Sequence, residues 1–280
     1  MKTWPACNLV VVMAMLVAWA PGQGAARAAT QSGDAAPAAG PGGSPPTVLI
    51  TGASRGIGLE FARQLAGRGW QVIATARDPA GSAELVALAD ADPDVTLEPL
   101  DVTDHAAVDQ LAAKYRGRGI DLLLLNAALG PNPATAMAPL AKLDFDNARL
   151  SFETNALGPV KLCQAFMDHV AASGRKQIVA ISSDSGSFVA GAQKPILYNY
   201  KASKAALNMY LHTLAFETPR RSVTLVMLHP GLVGTNPGLM RFPGALKTGD
   251  SVGQMLGVIE KLTPADNGRF IDYRGETMPW

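Results

Sequence analysis

Cysteine is nearly absent, with 2 in 280 residues. Two thiols cannot build a disulfide framework, and four scattered histidines (His105, His169, His212, His229) lack metal-ligand spacing, so no metal site is expected. Charge is also sparse: 17% of residues are charged, the net charge is +1, and no basic block occurs. That argues against a nucleic-acid protein held by phosphate neutralisation. The four tryptophans and five tyrosines are not interleaved with basic residues, as base-stacking surfaces are. Apolar side chains, by contrast, make up 48% of the chain. A sizeable core can be buried and global disorder is excluded. The length suits one large domain or two small ones.

The first residues read as a sorting signal. Lys2 precedes an unbroken apolar run of 12, Leu9 to Ala20. The run is too short for a bilayer span, which needs roughly 20 residues, but suits the core of a signal peptide. Ala26-Arg27-Ala28 offers a small-x-small cleavage site, with Ala18-Trp19-Ala20 as an earlier alternative. Residues 1–28 are therefore expected to be a signal peptide, and the chain to be exported, periplasmic or secreted, with no membrane span after cleavage. An uncleaved anchor, or a misassigned start codon and a cytoplasmic protein, are the competing readings. Cleavage after Ala28 removes Cys7 and leaves Cys163 alone. The leader lacks a twin arginine, so export is expected by the unfolded route. Residues 29–46 are almost all Ala, Gly, Pro and Ser, a linker with no large apolar side chain. One folded domain, 47–280, is expected to follow.

From Thr47 onward apolar β-type runs alternate with amphipathic helical stretches. Strands are expected over 47–51, 71–76, 95–102, 121–126, 177–183, 222–229 and 269–273. Helices are expected over 58–66, 82–89, 105–115, 146–172, 201–217 and 251–261. Leu122–Leu125 and Ile178–Ile181 are apolar almost throughout, as strands covered on both faces are. This alternation implies an α/β fold with a parallel sheet, helices on both faces, and a crevice at the strands' carboxyl ends.

The first strand runs into Thr51-Gly52-Ala53-Ser54-Arg55-Gly56-Ile57-Gly58. Glycines here let the backbone turn sharply and approach a phosphate, at which the next helix points its free N–H groups. The spacing G-x-x-x-G-x-G differs from the commoner dinucleotide fingerprint. The second strand ends in Ala74-Thr75-Ala76-Arg77-Asp78. Ala76 stands where an NAD site places its ribose-binding carboxylate. Arg77 and Arg55 are suited to clamp an adenosine 2′-phosphate, so NADP(H) is favoured over NAD(H). The competing reading makes both surface arginines and Asp78 the ribose acceptor.

Tyr200 and Lys204 stand at i and i+4, on one face of a helix. An ammonium beside a phenol favours the phenolate and so fits tyrosine for acid–base work. Ser183, closing the fifth strand, can hydrogen-bond a carbonyl oxygen. Asn155, a poor helix former inside a helix, can hold a water or a backbone group.

Taken together, TGASRGIG (51–58), Leu100-Asp101-Val102, Asn155-Ala156-Leu157-Gly158, Ile181-Ser182-Ser183, Tyr200-x-x-x-Lys204 and Pro230-Gly231-Leu232-Val233-Gly234-Thr235 resemble the short-chain dehydrogenase/reductase family. The resemblance spans 47–280. The stretch 267–280 and Thr75–Pro79 look like the sniffer-like carbonyl reductase and C-factor subgroup. The resemblance implies a single Rossmann-type doubly wound domain and hydride transfer between NADP(H) and a small-molecule carbonyl or alcohol. It implies Tyr200 as acid–base, Lys204 lowering its pKa and holding the nicotinamide ribose, Ser183 polarising the carbonyl, and Asn155 supporting a proton-relay water. For the cofactor it implies phosphate contacts from Gly52, Ser54, Arg55, Gly56, Ile57 and Gly58. Arg77 is expected at the 2′-phosphate, Asp101 and Val102 at adenine, Asn126 and Ala127 at the ribose, and Val233 and Thr235 at the carboxamide. Self-association is left open. One departure stands out: the family's Asn-Asn-Ala-Gly is here Leu125-Asn126-Ala127-Ala128, which puts the local geometry beside the ribose in question.

Two rivals compete with this reading. One is a C-factor-like signalling or binding protein without turnover; the other is an NAD-dependent alcohol dehydrogenase. Cys163 reads as a packed thiol and His229 as structural. The substrate pocket is expected from 186–197 and 234–250, where Phe188, Leu239, Met240 and Phe242 suggest a partly apolar substrate.

Overall fold

β1 (Thr47–Thr51) and β2 (Gln71–Ala76) fall where their apolar runs place them. They are followed by β3 (Val95–Pro99), β4 (Leu122–Leu125), β5 (Gln177–Ile181), β6 (Thr224–His229) and β7 (Phe270–Asp272). The helices are α1 (Gly56–Ala66), α2 (Ala83–Ala91), α3 (His105–Lys114), α4 (Phe145–Phe152), α5 (Gly158–Ala171), α6 (Tyr198–Leu214) and α7 (Thr248–Ile259). The computed structural model describes residues 44–131, 136–191, 193–235 and 238–280. The expected leader (1–28) and most of the expected linker lie outside them. Among the described residues no helix is long and apolar enough to cross a membrane.

All seven strands are parallel, in the order β3-β2-β1-β4-β5-β6-β7. The winding reverses between β1 and β4, which opens a crevice at their carboxyl ends. Alternation along each strand feeds two cores. Val48, Ile50, Leu122 and Leu124 enter one, with α1 and α7 residues such as Phe61 and Met255. Leu49, Leu123 and Leu125 enter the other, with Leu162 and Phe166 of α5 and Leu207 and Leu211 of α6. Burial on both faces is why these strands read as continuous apolar runs.

Several boundaries differ from the sequence expectation, each for a local reason. β6 begins at Thr224 rather than 222 because Ser222 turns left-handed (φ 56). β3 stops at Pro99, and Asp101 then accepts the Thr103 N–H and hydroxyl in a tight turn. β5 stops at Ile181, so Ser183 lies beyond the strand and caps a single 3-10 turn, Asp184–Gly186. The long helix expected over 146–172 is two helices joined by a π turn, Glu153–Leu157, in which the Gly158 N–H reaches back to the Glu153 carbonyl. Pro159 has no N–H to give the Asn155 carbonyl, so an α-helix cannot run through here unbroken. α6 starts three residues before expectation, at Tyr198, after a left-handed Leu197 (φ 59).

Candidate active site

Thr51 closes β1 and ties together two loops. Its hydroxyl accepts the N–H groups of Asn126 and Ala127, both at 3.0 Å. The Asn126 amide in return donates to the carbonyls of Thr51 (2.9 Å) and Gly52 (3.1 Å). Gly52 is left-handed (φ 69), and a Cβ there would stand 2.8 Å from the Ala127 Cα. At Gly58 a Cβ would run into the Gly52 carbonyl oxygen and the Asn126 amide. Both positions need glycine, and the backbone they fold is a cradle. Arg55, at the N-cap of α1, makes no side-chain cap, and the first turn carries no acidic residue. The opening N–H groups of α1 therefore remain for an anion. Ile57 packs on the first core, and the Ser54 carbonyl accepts the Ser82 hydroxyl (2.7 Å).

The departure at 125–128 brings no backbone strain. Leu125 is buried in the second core, and Ala128 is not among the residues with positive φ. Nothing at Ala128 requires glycine.

Arg77 and Arg55 are both exposed, and among the described residues neither makes a hydrogen bond or ion pair. Asp78, the rival ribose acceptor, is engaged by its own turn, where it accepts the Gly81 N–H at 3.0 Å. Val102 is buried against α5. After β6, Val233 pairs with Leu246, and the Thr235 methyl approaches Gly56. This loop therefore meets the glycine cradle.

Across the crevice, Asn155 is fully buried in the π turn. Its Oδ1 accepts the Leu129 N–H (2.7 Å), and its amide donates to the Leu129 carbonyl (3.0 Å) and Ser203 Oγ (3.0 Å). The side chain thus clamps backbone rather than solvent, the second of the two roles open to it from sequence. Ser203 passes the connection to the Tyr200 carbonyl (2.9 Å). Lys204 is buried, its Nζ donating to the Ile181 carbonyl (2.8 Å) and lying 6.0 Å from the Tyr200 ring centre. Burial pushes the Lys204 ammonium down to about 8.

The Tyr200 pKa runs against the sequence expectation. Burial pushes the phenol above its usual value, the neighbouring Ser183 hydroxyl opposes this, and the charge of the Asp184 carboxylate adds to it. In this state the lysine does not lower it, because its ammonium is turned to the Ile181 carbonyl. Tyr200 is held as a neutral phenol, a proton donor. Asp184 was not singled out from sequence; a carboxylate after two serines has no spacing signature.

A cleft reaches Tyr200, lined by Gly130, Ala138, Leu143, Asn147, Ser151 and Leu197 among others. Most of this lining comes from the β4–α4 connection, which carries no motif and was missed. Of the expected pocket residues, Leu239 is half-buried, whereas Phe188, Met240 and Phe242 are exposed. Cys163 is packed, its thiol pushed up to about 12 by burial, and is inert. His229 accepts the Asp184 N–H on Nδ1 (3.2 Å). Among the described residues no group could hold a metal ion.

The chain is similar in fold and sequence to known proteins. An NADPH-bound carbonyl reductase from chicken fatty liver superposes with a TM-score of 0.78 at 31% identity, over 85% of this chain and 95% of that one. The carbonyl reductase Sniffer of D. melanogaster gives 0.77 at 27% identity, over 84% and 100%. C-signal of Myxococcus xanthus is 33% identical over 162 residues, 58% of this chain and 93% of its own. The short chain dehydrogenase family model matches residues 46–239. The chain is therefore an oxidoreductase of the short-chain dehydrogenase/reductase family.

Proposed function

We propose that this enzyme interconverts a carbonyl and an alcohol using NADP(H), with Tyr200 as the acid–base group. The observation that carries the reading is the half-buried Tyr200 one helical turn from a buried Lys204, whose Nζ lies 6.0 Å from the Tyr200 ring centre, with Ser183 beside the phenol. The residues present fit a dinucleotide. Gly52 and Gly58 form a cradle that a Cβ would fill, α1 offers uncapped N–H groups, and Arg55 and Arg77 are two cations unpaired among the described residues. Gly52 to Gly58 would hold its phosphates, Arg77 with Arg55 a 2′-phosphate, Asp101 and Val102 the adenine, and Val233 and Thr235 the far end. Asn126 serves by bracing the cradle.

When bound, the dinucleotide supplies or takes the hydride. Tyr200 delivers its proton to the substrate oxygen in reduction, and as phenolate takes the alcohol proton in oxidation. Ser183 orients that oxygen. Asn155 fixes Leu129 and the first turn of α6, on which Tyr200 stands. Exposed Phe188, Leu232, Met240 and Phe242 on the neighbouring loops support a partly apolar substrate.

The test is a panel of carbonyls assayed with NADPH and with NADH, run on wild type and Tyr200→Phe. Turnover with NADPH is expected, reduced at least ~10²-fold in Tyr200→Phe with dinucleotide binding kept. Retention of more than about a tenth of the rate overturns the role of Tyr200. The apolar run 9–20 and the Ala-x-Ala site support export in the same proposal, and N-terminal sequencing of the native protein checks for a start at or near Ala29.

A further inference from the structure

The Ser183 hydroxyl has one proton and three claimants for it: the Asp184 carboxylate, the Tyr200 oxygen and, on the function proposed above, a substrate carbonyl. In the structure it points to Asp184, with Ser183 Oγ 2.9 Å from Oδ1. The same Oγ accepts the Ser185 N–H at 3.1 Å. With its proton on Asp184, the oxygen can meet Tyr200 only as an acceptor, so the phenol must donate. Asp184 is itself held in place. Its N–H donates to His229 Nδ1 at 3.2 Å, and the Ser185 hydroxyl lies 3.4 Å from the same Oδ1. Among the described residues no cation pairs with the Asp184 carboxylate. An ionised carboxylate is a stronger acceptor than a neutral carbonyl. The competition for the Ser183 proton therefore starts in favour of Asp184.

We propose that Asp184 is a positioning residue for the carbonyl–alcohol reaction: it turns the Ser183 proton away from the substrate oxygen, keeps Tyr200 as phenol, and so sets the pH range in which each direction runs. No covalent bond changes in this step; the hydroxyl rotates between acceptors. The inference rests on Tyr200 being the acid–base group.

The charged groups around the pair are few. Lys204 faces it from α6, held down to about 8 by burial and donating to the Ile181 carbonyl. His229 faces it from the end of β6, with Asp272 of β7 acting on it; burial lowers its pKa while Asp184 and Asp272 oppose that. A neutral His229 keeps Nδ1 as an acceptor for the Asp184 N–H. The charge of Asp184 also raises Tyr200 through space, in the same direction as the loss of the serine proton to the carboxylate.

Asp184→Asn removes the charge and keeps both the shape and the backbone bond to His229. With NADPH and a carbonyl accepted in the panel above, and with NADP and the matching alcohol, kcat/KM is measured against pH. The midpoint is expected to move about one pH unit toward acid in both directions of reaction. Asp184→Ala should move it the same way, and Asp184→Glu should return it toward wild type; NADPH binding checks that each variant is folded. A folded, active Asp184→Asn or Asp184→Ala whose rate falls but whose midpoint stays in place overturns the proposal, since a merely structural role gives that result. Tyr200→Phe separates the two levels. If it keeps its rate, the reading of Tyr200 fails and this inference falls with it. If it is inactive while the Asp184 midpoints stay put, only the role of Asp184 is overturned.

Discussion

The two banks of the crevice are built in opposite ways. On the α6 bank, Asn155 is fully buried with both ends of its amide satisfied, and Lys204 and Ser203 are equally enclosed and bonded. On the β2 bank, Arg55 and Arg77 stand exposed with no partner among the described residues. On the function proposed above, the contrast follows what each bank has to do. Groups that move a proton must be placed before the substrate arrives, since misplacement raises the barrier directly. Groups that hold a phosphate gain most by staying unpaired until it comes, because an existing ion pair would first have to be broken.

The sharpest way to break this division is to spoil the cradle between the banks. Gly58→Ala puts a methyl where the Gly52 carbonyl and the Asn126 amide already are. Overpacking of this kind costs about 1–3 kcal/mol or more, so NADP(H) and NAD(H) should both weaken roughly a hundredfold. Titrating both nucleotides checks it; a loss confined to one would show that the cradle does not hold the shared phosphates.

The buried bank should show itself in stability. Burial holds Lys204 at about 8 in the folded protein, against an ordinary 10.5. Between those values the unfolded chain binds more protons than the folded one, so this group makes stability rise with pH across that window. Compared with Lys204→Met in denaturant titrations at pH 8 and pH 10, the wild type should gain about 2 kcal/mol more. Parallel pH dependence in the two proteins would show that Lys204 is not held down.

The exposed bank should matter only to one ligand. Arg77→Ala should weaken NADP(H) by about 1.5–3 kcal/mol, the range for a hydrogen bond to a charged group, and leave NAD(H) nearly unchanged. Equal losses for both would indicate a folding effect.

Much of this was legible in sequence. β1 and β2 are bounded as their apolar runs suggest, and the parallel sheet follows from strand and helix taking turns. Tyr200, Lys204 and Ser183 could be singled out because Tyr200 and Lys204 share a helix face and Ser183 follows a strand. What escaped lacked a periodic signal. The π turn leaves the apolar pattern of α4 and α5 intact, and only Pro159 hinted at it. The early start of α6 follows a leucine in a left-handed conformation, where no capping residue announces a helix. The proton-holding state of Tyr200 depends on burial and on Asp184, two things that emerge only when β5, β6 and α6 are packed together.

The placement of β1 in the middle of the sheet has a consequence for how the chain folds. Val48–Ile50 can pair with β2 early, but their other flank waits for Leu122–Leu124. Until those residues arrive, the first strand shows an unpaired apolar edge, the kind that other chains can join. Non-local parallel pairing is also slow. The interval between synthesis of Ile50 and capture of Leu122 is thus a stage at which aggregation competes with the native sheet.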